Sequence, residues 1–85
     1  MKRAEFDALY SSKRVTFDLR AGFPVGDNLF YACDLCGDVL PSRPPDNEIC
    51  SCGNLSIDIE WGRLGANKGD HSVSLFEATS PTRAL

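Results

Sequence analysis

Four cysteines arranged in two close pairs constrain this chain more than anything else in it: Cys33-x2-Cys36-Gly37 and Cys50-x-Cys52-Gly53. Two cysteines one or two residues apart can put both sulfurs on one cation. A glycine just after the pair lets the backbone turn tightly beneath the ion. Thirteen residues separate Cys36 from Cys50, enough to bring the second half-site back to the first. Together they supply four sulfurs, the number a tetrahedral structural site takes. The spacing therefore predicts a metal site made of Cys33, Cys36, Cys50 and Cys52, each half at the end of a hairpin. One structural zinc is the expected ion. Two disulfides, in any of three connectivities, would use the same residues, as would four iron-bound thiolates. A redox pair at Cys33 and Cys36 would leave the other two cysteines unexplained. The single-residue gap between Cys50 and Cys52 departs from the commoner two-residue spacing.

Size makes such a staple useful. A chain of 85 residues buries only about 60–65% of its unfolded surface, so its core is marginal. A structural zinc contributes roughly 10–16 kcal/mol in small peptides, as much as a whole domain's stability. The first residues, Met1 to Asp7, carry charge of both signs and lead into no apolar signal core. The expected compartment is the cytoplasm, where thiols stay reduced and paired cysteines more often hold metal. No apolar run approaches the ~20 residues of a membrane helix, so no membrane span is expected.

The hydrophobic pattern predicts one domain over residues 1–85, a small β-rich α+β fold. Its parts are an antiparallel sheet of about four strands, a four-cysteine zinc ribbon and one short N-terminal helix. Phe6, Leu9 and Tyr10 have helical spacing within residues 2–12. Val15, Phe17 and Leu19 alternate with polar residues over 14–20, the signature of a half-buried strand. Residues 28–33 read as a second strand running into the first cysteine pair. Three prolines make 41–47 an exposed loop. The clearest strand is 55–61, with Leu55, Ile57, Ile59 and Trp61 expected inward and Ser56, Asp58 and Glu60 outward. Residues 62–70 read as a glycine-rich loop, 72–78 as a strand returning antiparallel, and 79–85 as a frayed tail.

Charge is segregated. Net charge is −3, yet residues 27–60 hold seven acids against Arg43 alone. Lys2, Arg3, Lys13, Arg14 and Arg20 lie near the amino terminus. An acidic cysteine region, made more negative by four thiolates on a dication, repels a phosphate backbone, so nucleic acid is the less expected partner. It suits a basic protein instead, with Asp46, Glu48, Asp58 and Glu60 as candidate contacts. Catalysis is not expected. Four thiolates leave a zinc no open position. The single histidine, His71, follows a glycine-rich loop and reads as a solvated side chain. Asp58 and Glu60, about 6.6 Å apart along a strand, match a spacing that any such pair would have.

The stretch Tyr31-Ala32-Cys33-Asp34-Leu35-Cys36-Gly37-Asp38-Val39-Leu40-Pro41-Ser42, with Cys50-Ser51-Cys52-Gly53-Asn54 and the strand after it, resembles small bacterial zinc-ribbon proteins. Some of these belong to immunity genes beside secreted polymorphic toxins. The resemblance covers about residues 31–61 and rests mainly on the two Cys-Gly half-sites. It implies a non-enzymatic protein that blocks a cognate toxin by binding it, the partner being a basic toxin or nuclease. The alternative expectation is a transcription- or RNA-associated zinc ribbon that contacts nucleic acid through its basic end.

Overall fold

The computed structural model describes residues 1–17, 23–60 and 63–81. In chain order they form α1 (Arg3–Leu9), β1 (Tyr10–Val15), β2 (Leu29–Cys33), β3 (Val39–Pro41), β4 (Glu48–Ile49), β5 (Leu55–Asp58), β6 (Arg63–Ala66), a 3-10 turn (Asp70–Ser72) and β7 (Val73–Pro81). Two antiparallel sheets result, one of four strands in the order β1-β7-β2-β3 and one of three in the order β4-β5-β6. The small β-rich fold expected from the sequence is the fold observed, with its strands divided between two sheets.

Strand alternation explains the layering. Along β2, Phe30 and Ala32 point to one face of the larger sheet, and Tyr31 and Cys33 to the other. The first face packs on α1 through Phe6, which is fully buried among Ala32, Val39 and Phe76. Phe6 lies 5.0 Å from Phe30 and 5.4 Å from Tyr10, centroid to centroid, in tilted aromatic contacts. The guanidinium of Arg3 sits 4.0 Å above the ring of Phe76. The second face, with Tyr31, Leu40, Val73 and Leu75, packs on Leu55 and Ile57 of the smaller sheet. Cys33 and Cys50 belong to this inter-sheet core.

Several expected elements are corrected. The helix stops at Leu9 rather than continuing to residue 12, and Leu9 is exposed. Seven residues form too few hydrogen bonds to hold a helix without docking, while Tyr10–Val15 gain a ladder with β7. The strand expected at 14–20 therefore begins at Tyr10 and ends at Val15, with Leu19 outside the described residues. Ile59 is exposed because β5 ends at Asp58 and the chain turns; Trp61 lies outside the described residues. The glycine-rich segment 62–70 contains β6, which pairs with β5 from Leu55↔Ala66 to Asp58↔Arg63. The last strand pairs with β1 and β2, not with β5. It extends to Pro81, so the tail expected to fray from Thr79 is strand for its first three residues. The proline-rich segment 41–47 is only partly exposed: Pro41 closes β3 opposite Phe30, and Ser42 and Pro44 are buried. No helix among the described residues is long and apolar enough to cross a membrane.

Candidate metal centre

Each cysteine pair occupies the turn of a hairpin. Cys33 ends β2, and the chain turns through residues 34–37 before β3; Cys50 follows β4, and the chain turns through residues 51–54 before β5. Both turns close alike. The amide of Cys33 donates to the carbonyl of Asp38 at 2.8 Å, and that of Cys50 to the carbonyl of Leu55 at 2.9 Å, each five residues ahead. Gly37 and Gly53 both have φ 78°. Nothing lies within 4 Å of a Cβ built on either, so the need for glycine is conformational, and another L-residue there costs roughly 1–2 kcal/mol.

Asn54, the residue after Gly53, accounts for the shorter second knuckle. Gly37 is four residues past Cys33, whereas Gly53 is three past Cys50. Asn54 restores the missing residue before the hairpin closes. Its side chain is buried and turned inward. Nδ2 donates to Ser72 Oγ at 2.9 Å and lies 3.6 Å from Cys33 Sγ, and Oδ1 accepts from the amide of Lys68 at 2.7 Å. The amide of Leu55 points at Cys50 Sγ from 3.2 Å. Amide donors of this kind orient thiolate ligands and stabilise their charge.

The four cysteines are free thiols, and their sulfurs all lie within 4.8 Å of one another. In a tetrahedron with metal–sulfur bonds of about 2.3 Å, adjacent sulfurs are about 3.8 Å apart. Cys52 Sγ is 3.7 Å from Cys33 Sγ and 3.7 Å from Cys50 Sγ. A disulfide needs about 2.05 Å. The donor set thus fits a tetrahedral thiophilic cation, and all four predicted ligands are brought together. Cys33 and Cys50 are buried, Cys36 is half-buried, and Cys52 faces solvent.

Electrostatics favour a cation over four neutral thiols. Burial disfavours the Cys36 thiolate, yet the amides of Asp38 and Cys52 and the neighbouring thiols outweigh it and bring the group down to about 6. The amide of Asn54 favours the Cys52 thiolate, but desolvation and the other three sulfurs push that group up to about 12. The opposite shifts of Cys36 and Cys52 show two neighbouring sulfurs competing for charge, an opposition that a bound dication removes.

Asp38, one of the seven acids of the middle segment, is not a surface charge. It is 8% exposed, and its carboxylate accepts from the amide of Ser51 at 2.7 Å and from the Ser51 hydroxyl. Lys2 Nζ completes the bridge, 2.9 Å from Asp38, 3.3 Å from Ser51 Oγ and 3.4 Å from the carbonyl of Cys36. The Ser51 hydroxyl first, then Lys2, hold the Asp38 carboxyl down to about 2. Residues of both knuckles and the amino-terminal segment are thereby tied together beside the sulfurs. Sequence reasoning missed Asp38, Ser51 and Asn54 as part of this centre. The only local signal was position: a polar residue directly after each Cys-Gly, and a serine between the close cysteines.

The four acidic candidates are also gathered. Glu48 pairs with Ile57 across β4 and β5. Asn47 Oδ1 accepts from the amide of Ile59 at 2.9 Å, and Asp58 Oδ1 from the amide of Glu60 at 3.0 Å. Asp46, Glu48, Asp58 and Glu60 thus flank one end of the smaller sheet. Their neighbours Ile49 and Ile59 are 66% and 46% exposed. At the amino-terminal side, Lys2, Arg3 and Lys13 are paired with Asp38, Asp7 and Glu77 at 2.9, 3.1 and 3.3 Å. His71 is exposed, beside Gly69. No protein-family model matches the sequence, and neither curated proteins nor solved structures show a match to the chain.

Proposed function

We propose that this chain is a zinc-stabilised, non-enzymatic protein-binding module of the immunity or inhibitor type, working in the reducing cytoplasm. Its partner is a basic protein, a toxin or nuclease, which it neutralises by occupying a cationic surface. The observation that carries this reading is the acidic end of the smaller sheet. Residues 46–48 and 58–60 adjoin at that end and carry Asp46, Glu48, Asp58 and Glu60, with the exposed Ile49 and Ile59 next to them in the chain. An apolar centre inside a charged rim is the usual make-up of a protein interface, and like-signed rim charge steers an oppositely charged partner. Zinc is the ion supported by four sulfurs at tetrahedral spacing, and a full thiolate shell leaves it structural. The nucleic-acid alternative has less support, because three of its five candidate cations already face carboxylates.

Two measurements test this. The native mass of protein purified without added metal is expected to exceed the chain by one zinc, lost on acid denaturation. A Cys36→Ser variant is expected to lose both the extra mass and cooperative unfolding. Affinity capture from the source cells is expected to retain a basic protein at low salt. Replacing Asp46, Glu48, Asp58 and Glu60 by their amides should release it. Retention by DNA or heparin instead, with steep release as salt rises, overturns the protein-partner reading.

A further inference from the structure

Beside the acidic rim lies a groove of about 270 Å³, lined by Val25, Ser42, Arg43, Pro44, Ile57 and Ile59. Its walls come from three separate segments, and hydrogen bonds between side chains and backbone hold each in place. Ser42 Oγ accepts from the amide of Gly26 at 3.0 Å and donates to its carbonyl at 2.7 Å, which fixes the Val25 wall against the 42–44 wall. The Tyr31 hydroxyl donates to the carbonyl of Pro24 at 2.6 Å, anchoring the same wall from the core. The third wall is held by the bond from the Ile59 amide to Asn47. Val25 and Ile59 are thus kept 44% and 46% exposed, facing the groove rather than collapsing into it. Walls already ordered lose little entropy when something fills the space between them.

Size and charge identify what fills it. At about 270 Å³ the groove lies at the small end of the pocket range, and its Val25, Ile57 and Ile59 lining suits an apolar interface anchor. Segments 25–27, 42–49 and 57–60 carry Asp27, Asp46, Glu48, Asp58 and Glu60 against one base, Arg43. That base is paired with Asp27 at 3.0 Å.

We propose that this groove seats a single aliphatic or aromatic side chain from a basic segment of a partner protein, whose flanking lysines and arginines meet the acidic rim. The inference rests on the acidic-surface reading above and adds the anchor that gives it specificity. Charge alone attracts any basic chain, whereas an apolar socket selects one with the right residue between its charges.

The test uses the full metal-loaded chain and two short fluorescent peptides. Lysines and arginines flank a central leucine in one and a central serine in the other. The leucine peptide is expected to bind at least about tenfold tighter, or about 1.4 kcal/mol. Ile59→Ser should abolish that difference, with the thermal unfolding curve unchanged. Equal binding of both peptides, lost with Asp58→Asn and Glu60→Gln, would overturn the socket and leave the acidic surface standing. Binding of neither would overturn both. Concentration-dependent dimerisation abolished by Ile59→Ser would overturn the proposal in favour of a second copy as occupant.

Discussion

Asn54 does three things at once. It supplies the residue that the shorter Cys50–Cys52 knuckle lacks, its amide group points at Cys33 Sγ and Ser72, and its carbonyl accepts from Lys68. Removing it takes the acceptor from the Lys68 amide and one of two partners from the buried Ser72 hydroxyl. Asn54→Ala is expected to cost about 1–3 kcal/mol in urea unfolding and to speed metal transfer to a chromophoric chelator. Unchanged transfer would mean that the side chain supports the loop alone. Asp38 acts differently: it joins the first knuckle to Ser51 of the second through a carboxylate depressed to about 2. Because that group is depressed, its contribution is complete above the ordinary carboxylate range and is lost as pH falls through about 2. The cysteine cluster was legible from spacing alone, since tetrahedral thiolate coordination restricts which spacings work. Asn54 and Asp38 were not, because their partners Ser72, Lys68 and Ser51 lie between 13 and 18 residues away.

At the level of elements, α1 is a cover for one sheet face, and nearly all of its grip is Phe6. The helix carries no buried residue besides Phe6, whose ring meets Tyr10, Phe30 and Phe76. Phe6→Ala is expected to cost about 3–5 kcal/mol, read as a lower urea midpoint, with metal stoichiometry unchanged in the folded fraction. A loss below about 1 kcal/mol would mean that the sheet face tolerates exposure. The period-of-two pattern located β5, which buries Leu55 and Ile57 against the larger sheet and leaves Ser56 exposed. It failed at Tyr10–Ser12 and at residues 63–66, where polar and glycine-containing segments become edge strands only by pairing with β7 and β5. Backbone hydrogen bonds to a partner strand leave no periodic mark on so polar a segment.

For the molecule as a whole, the sulfurs join its two sheets. Cys33 ends a strand of the larger sheet and Cys50 precedes one of the smaller, and both are buried in the core that the sheets share. Chelation of the metal is therefore expected to loosen both sheets together. In hydrogen exchange, Leu75 in the larger sheet and Ile57 in the smaller should lose protection in parallel when a chelator is added. Persistent protection of Leu75 would show that β1, β7 and β2 hold together without the metal. The amino-acid sequence by itself determined the clustered cysteine pairs, the β-rich class and the acidic middle segment, since each follows from local spacing or composition. Tertiary structure alone decided the split into two sheets, the pairing of β7 with β1 and β2, and the groove between residues 25, 42–44 and 57–59. These depend on which strand edges find each other, a choice made by contacts between residues far apart in the chain.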